Sequence, residues 1–291
     1  MSRGETLPLL WVGDKLVSAD EARIDPRDRG YTLGDGLFET MLSRQGRVPL
    51  LGEHLSRLRS SAEVLRFALP HERLLKRAVY DTLRANDLKD GVIRLTVSRG
   101  VPEGRGLLPG GEDGPSLIVQ VIPFGGYPGK LYEQGVDIII VSSVRRNEHS
   151  PLSRIKSLNY LDNIIARQEA AEQGATEAIL CNTAGHIAGA SAANVFFVCA
   201  ERLMTPDIDS GALPGITRKM ILRFASRLGF TIEQRTIDLG VFAESDGCFL
   251  TNVLMGIMPV RSVDGRAVGN ERAWRIMRRL QDYWRLAIAS R

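Results

Sequence analysis

One stretch constrains the architecture of this chain more than any other. Pro123-Phe124-Gly125-Gly126-Tyr127-Pro128-Gly129 places two prolines and three glycines within seven residues. Proline removes a backbone donor and glycine weakens any regular element, so neither a helix nor a strand is expected to run through it. The 291 residues are therefore expected to form a smaller domain over 1–122, a linker over 123–129 and a larger domain over 130–291.

On the N-terminal side, Ile93, Leu95 and Val97 alternate with Arg94, Thr96 and Ser98, and Ser116 to Ile122 is a second apolar run. Both read as strands. Ahead of them, Leu55, Leu58, Ala62 and Leu65 recur at helical spacing, as do Leu75, Ala78, Val79 and Leu83. Strands, two helices and strands in that order predict an α+β layer rather than a doubly wound sheet. After the linker, Val136 to Val141, Glu177 to Cys181 and Asn194 to Cys199 read as buried strands. A helix is expected between the first two, starting at Asn159 and presenting Leu161, Ile164, Ile165 and Gln168 to Ala171 as its face. Further helices are expected over 217–228 and 271–287, with Trp274, Met277 and Trp284 of the last one as packing residues.

Composition excludes several classes. Three cysteines, Cys181, Cys199 and Cys248, are too few and too far apart for a disulfide framework or a Cys-x-x-Cys metal site. No stretch has the roughly 18 consecutive apolar residues of a membrane span, and Met1 to Asp20 lacks the apolar core of a signal peptide. The reading is a cytoplasmic protein with no metal. The formal charge of +4 is spread along the chain without a basic run, which argues against nucleic acid and suits small anionic ligands. Of the 38 basic residues only six are lysines: Lys15, Lys76, Lys89, Lys130, Lys156 and Lys219. Only an amine that can lose its proton forms a Schiff base, so a lysine kept where arginine is the habit is chemically interesting.

Five segments carry the candidate chemistry. Arg29-Gly30-Tyr31-Thr32-Leu33-Gly34-Asp35-Gly36-Leu37-Phe38-Glu39-Thr40 reads as a glycine-rich turn leading into a short strand, and His54-Leu55-Ser56-Arg57-Leu58 sets one arginine on a helix. Ile155 to Tyr160 supplies Lys156. Leu213-Pro214-Gly215-Ile216-Thr217 runs straight into a helix N-terminus, where free amides and the positive dipole end favour a phosphate. Phe249 to Val260 reads as an apolar strand interrupted at Thr251-Asn252 and closed by Gly256 and Pro259. Each alone has a bland reading as a turn, a surface arginine or a helix cap; their joint occurrence in this order carries the signal.

In that set the chain resembles the fold-type IV pyridoxal-phosphate enzymes, which include branched-chain and D-amino-acid aminotransferases, (R)-selective amine transaminases and aminodeoxychorismate lyases. The resemblance runs from about Asp28 to Val260. It implies a two-domain α+β fold, a smaller α/β domain and a larger β-barrel-like domain with flanking helices, assembled as a homodimer with pyridoxal 5'-phosphate between the domains. It further implies that Lys156 is the Schiff-base lysine, that Arg57 binds the phosphate, and that Tyr160 bonds the ring hydroxyl. Ile216 and Thr217 match the amide cradle of the phosphate, Leu213 the residue beneath the ring, and Asn252 with Val253 the second phosphate loop. Phe38 and Arg105 are candidate substrate residues.

One position departs from the pattern. Members of the family usually have a glutamate five residues before the asparagine matching Asn194, where it keeps the pyridine nitrogen protonated; here that position is Gly189. Glu177 or a water chain is one candidate replacement. The alternatives are a reaction that draws less on the ring, or lost catalysis. For the reaction, Gly36-Leu37-Phe38-Glu39 is similar to transaminase sequences, which favours amino transfer between an amino acid or amine and a 2-oxo acid. Thr251-Asn252-Val253-Leu254-Met255 looks more like the lyases, which release 4-aminobenzoate and pyruvate. A catalytically impaired, cofactor-binding relative is the third reading.

Overall fold

A computed structural model describes residues 8–104, 106–109 and 114–289. The chain divides into two compact units, with the first boundary at Gly125 and Gly126, inside the proline- and glycine-rich stretch. The first unit runs up to Gly125 and also takes in Lys156–Asn159; the second consists of Gly126–Ile155 and the chain from Tyr160 onward.

The first unit contains β1 (Leu9–Val12), β2 (Lys15–Ser18), α1 (Arg29–Leu33), β3 (Gly36–Ser43), α2 (Leu51–Leu65), α3 (Glu72–Ala85), β4 (Gly91–Ser98) and β5 (Ser116–Pro123). The strands form one antiparallel sheet in the order β2-β1-β5-β4-β3. The alternation read at Ile93, Leu95 and Val97 is the buried face of β4, whose three side chains are fully enclosed. Leu55, Leu58 and Ala62 of α2 and Leu75, Ala78, Val79 and Leu83 of α3 are likewise buried, as helical spacing predicts.

The second unit contains α4 (Gly129–Gln134), β6 (Val136–Ile140), α5 (Leu161–Glu172), β7 (Glu177–Cys181), β8 (Ile187–Ala190), β9 (Asn194–Cys199), β10 (Arg202–Pro206), α6 (Ile216–Arg227), β11 (Thr231–Arg235), α7 (Val241–Glu244), β12 (Gly247–Asn252), β13 (Gly256–Val263), β14 (Arg266–Ala267) and α8 (Glu271–Ala289). Its sheet runs β11-β10-β9-β12-β13-β6-β7-β8, with β14 on β13, and curls into a half-barrel around Ile138, Ile179, Val195, Phe197, Leu250, Met258 and Val260. The pairs β6–β7, β6–β13 and β10–β11 are parallel.

Three local expectations change. Asn159 does not cap α5; Tyr160 is the cap residue, and the Asn159 amide instead donates to the Gly34 carbonyl. The buried face of α5 is Asn163, Ala166 and Ala170, while Leu161, Ile164 and Ile165 are 72%, 50% and 42% exposed. Two alanines let the helix lie close against Ile139, Val141, Ala178 and Leu180, which larger side chains would prevent. Finally, Phe249 to Val260 is not one interrupted strand but a hairpin, β12 against β13, that turns between Asn252 and Gly256.

Candidate active site

In the first unit, β3 is the edge strand, and the segment carrying Lys156 is laid along it. The Phe38 amide donates to the Lys156 carbonyl at 2.9 Å and the Leu158 amide to the Gly36 carbonyl at 3.0 Å, with Leu37 facing Ser157 in a bridge. The glycine-rich turn makes room for this docking. A Cβ on Gly36 would lie 2.7 Å from Leu158 Cδ1, and one on Gly34, whose φ is +67°, would lie 2.7 Å from Asn159 Oδ1. The strand that follows is eight residues long rather than short. Lys156 Nζ lies 4.0 Å from the centroid of the Phe38 ring, and Arg94 Cζ lies 3.3 Å from the same centroid, so the ring has two cations against it.

Glu39, next on β3, is 1% exposed and serves two residues of α2. Arg57 donates from Nε to Oε1 at 2.7 Å and from Nη2 to Oε2 at 2.6 Å, and His54 Nδ1 lies 2.7 Å from Oε2. Burial alone would raise the Glu39 pKa; the charge and hydrogen bonds of Arg57 and His54 outweigh it and hold the carboxyl at about 2. Phe38, whose ring has Lys156 against it, and Glu39, which holds the unanticipated His54 and Arg57 of α2, are therefore neighbouring residues of one strand. The sequence contained a signal for this, a charged residue beside Phe38 in an otherwise apolar strand.

In the second unit, Leu213 to Gly215 leads into α6 with Gly215 as its cap and no capping side chain, so the first amides of the helix have no intrahelical acceptor. Asn194 shapes this loop by donating from Nδ2 to the Leu213 carbonyl at 2.9 Å. Leu213 is half-buried, Ile216 and Thr217 are buried, and the Thr217 hydroxyl has no hydrogen-bond partner. The Thr251 hydroxyl, at the end of β12, is also buried and without a partner. Asn252 behaves differently: its Oδ1 accepts from the Leu254 and Met255 amides at 2.9 Å each, and its Nδ2 donates to the Ala192 carbonyl at 3.0 Å. That side chain builds the hairpin turn on which Val253 sits, leaving backbone groups to meet a ligand.

Tyr160 and Asn252 share a cavity of about 260 Å³ with Tyr127, Glu177, Ser191 and Met258. Glu177 is its one lining carboxylate and is 1% exposed. It accepts from the Ala178 amide and the Ser191 hydroxyl and pairs with Arg167 at 2.9 Å. Gly189 lies on β8 opposite Leu180, beside a register shift in the β7–β8 pairing, with φ +153°, a conformation that L side chains rarely adopt. The missing carboxylate at this position is thus coupled to a backbone that suits glycine. Arg105 lies outside the described residues.

The residue set has the chemistry that a phosphorylated aldehyde cofactor needs. Lysine supplies an amine, Arg57 a fixed cation, and the start of α6 a row of amides beside a buried hydroxyl that lacks a partner. The amino-transferase class IV family model matches residues 36–263, from the glycine-rich entry of β3 to the end of β13. The chain belongs to the class IV aminotransferase family. Class IV members are pyridoxal-phosphate-dependent. Over 276 residues, covering 94% of both chains, it is 33% identical to a putative branched-chain-amino-acid aminotransferase of Methanocaldococcus jannaschii. Its fold is similar to that of the branched-chain amino acid aminotransferase of Escherichia coli, at TM-score 0.88 and 28% identity over 95% of this chain and 93% of that one. It is also similar to the 4-amino-4-deoxychorismate lyase of Pseudomonas aeruginosa, at TM-score 0.84 and 31% identity over 95% and 98%. Among the described residues no group of three His, Cys, Asp or Glu side chains is placed to hold a metal ion, and no helix is long and apolar enough to cross a membrane.

Proposed function

We propose that this class IV family member is an aminotransferase that binds pyridoxal 5'-phosphate through Lys156 and moves an amino group between an amino acid or amine and a 2-oxo acid. The docking of the Lys156 segment on β3, with its ammonium nitrogen over Phe38, carries the reading. When bound, the cofactor supplies the electron sink for bonds at the substrate's α-carbon. Lys156 would hold the aldehyde carbon, and its amine would carry the proton taken from the substrate's α-carbon. Arg57 of the first unit, and in the second the amides of Ile216 and Thr217 with Asn252 and Val253, would bind the phosphate. Tyr160 would bond the ring hydroxyl, and Leu213 would pack against the ring. Phe38 and Arg105 contact the substrate, Arg105 through its carboxylate.

The proposal extends to a cytoplasmic homodimer of two-domain subunits joined by residues 123–129. The exposed apolar side chains of Leu161, Ile164 and Ile165 support a second copy, since an apolar patch of this kind is uncommon on a free surface. Aminodeoxychorismate cleavage is the second reading; the turn built by Asn252 and the 31% identity to the Pseudomonas aeruginosa lyase favour it. Incubation with pyruvate and a panel of L-amino acids, D-amino acids and (R)-amines tests the first. New 2-oxo acid from an amino-acid donor, or ketone from an amine, supports transfer, whereas release of 4-aminobenzoate and pyruvate from aminodeoxychorismate, with no transfer, replaces it with the lyase.

A further inference from the structure

The buried cluster on β3 and α2 has an arrangement that simple charge neutralisation does not explain. His54 and Arg57 lie three residues apart on α2 and so share one helix face, and Glu39 stands opposite both. Its two oxygens take the flat fork of the guanidinium edge-on, at 2.7 and 2.6 Å, which fixes the guanidinium plane as well as its position. Oε2 has a second neighbour in His54 Nδ1. A carboxylate only accepts, so Nδ1 carries the proton, and Nε2 of the same ring is buried with no partner. Among the described residues the ring's polar contact is the one to Glu39. What it does is hold the Glu39 carboxylate in one orientation.

We infer that Glu39 and His54 are positioning residues for Arg57, setting the orientation in which its guanidinium meets the cofactor phosphate. The inference rests on the reading of Arg57 as a phosphate residue. It makes a prediction opposite in sign to plain electrostatics. Glu39 cancels the charge of Arg57, so removing the negative charge strengthens the attraction of the arginine for a dianion. If positioning dominates, the same change weakens phosphate binding, because the long side chain regains its rotamer freedom.

The test compares binding of pyridoxal 5'-phosphate and of pyridoxal, which lacks the phosphate, to the apo-form of the full chain. The dissociation constant of pyridoxal divided by that of pyridoxal 5'-phosphate isolates the phosphate contribution from bond formation at Lys156. In Glu39→Gln this ratio is expected to fall about tenfold, and in His54→Leu about threefold. His54→Asn, whose amide can donate from the place of Nδ1, is expected to restore it. The ³¹P resonance of bound cofactor should shift in the first two variants and not in the third. A ratio in Glu39→Gln and His54→Leu equal to or above that of the parent chain overturns the inference, provided Arg57→Ala lowers it. If Arg57→Ala leaves the ratio unchanged, the reading of Arg57 itself fails. Should Glu39→Gln not fold, the leucine and asparagine variants of His54 still decide, since a purely structural histidine would lower the melting temperature in one without changing the ratio.

Discussion

The first unit answers two of its carboxylates from within: the buried Glu39 is met by Arg57 and His54, and the half-buried Asp35 by the Nε donors of Arg29 and Arg99, each at 2.8 Å. The second unit leaves the hydroxyls of Thr217 and Thr251 buried and unanswered, one at the start of a helix and the other at the end of a strand. A buried polar group without a partner costs about 1–3 kcal/mol, so a fold retains it where something else supplies the partner. One unit presets cations before any ligand arrives, and the other holds donors in reserve for one. Each of the following changes breaks one side of that contrast.

The largest effect is expected at the lysine. Lys156→Ala removes both the covalent anchor and the proton carrier, so turnover with an amino donor and pyruvate should fall by at least the 10²- to 10⁴-fold, roughly, that a positioned base contributes. The visible absorption of bound cofactor should disappear with it. An imine that persists in the variant would place the anchor elsewhere.

Acid should release the Glu39 cluster of the first unit. The Glu39 carboxyl, normally near 4.5, is held at about 2 in the folded chain, so its stabilisation is complete above pH 4.5 and is lost as pH falls toward 2. The depression corresponds to about 3 kcal/mol of stability, to be read as a steep loss in urea midpoint over that range. In Glu39→Gln the stability is lower at neutral pH and that slope shallower. A parent and variant with parallel profiles below pH 4.5 would show that Glu39 is not the group preset by its cations.

Much of this was legible in the sequence, and the residues that were not share a cause. The period-two pattern of β4, the helical spacing of α2 and α3, and the loop before α6 all depend on local rules, and all appear where those rules put them. Ala170 was within the face read for α5, but Leu161, Ile164 and Ile165 were misplaced because Ala166 with Ala170 wins the close packing against β6 and β7, a choice made by the sheet and invisible in the helix alone. Phe249 to Val260 read as one strand interrupted at Thr251-Asn252 rather than as a hairpin, because the turn that follows is built by the Asn252 side chain and not by a glycine-proline pair. The partnership of Glu39 with His54 spans 15 residues and two elements, so spacing could not disclose it. The orphaned hydroxyls were likewise beyond reach, because a missing partner is a property of packing.

Gly189 tests whether the second unit's reserve extends to a carboxylate. At φ +153° a side chain is strained whatever space surrounds it, and the nearest atom to an added Cβ is the Ala193 carbonyl oxygen at an ordinary 3.4 Å. Gly189→Ala and Gly189→Glu should therefore each lose about 2 kcal/mol of stability, measured by urea unfolding. Turnover separates the pair: a gain in the glutamate variant alone would show that the acid is wanted there despite the strain. Equal turnover in both would leave Glu177, bonded to Ser191 and Arg167, as the carboxylate of this unit.

The smallest expected effect is the most direct probe of the contrast. Thr217→Val keeps the shape of the side chain and removes a hydroxyl that has no partner among the described residues. Without cofactor the variant should unfold at the same urea concentration as the parent or slightly above it, since deleting an unsatisfied buried group removes its desolvation cost. With pyridoxal 5'-phosphate present the order should reverse, because the parent gains a hydrogen bond worth about 1 kcal/mol that the variant lacks, or roughly fivefold in affinity. A crossing of the two stabilities on adding cofactor has no explanation in packing alone. A valine variant that is less stable by the same amount in both conditions would mean that the Thr217 hydroxyl is satisfied within the fold, and the second unit would then lose one of its reserved donors.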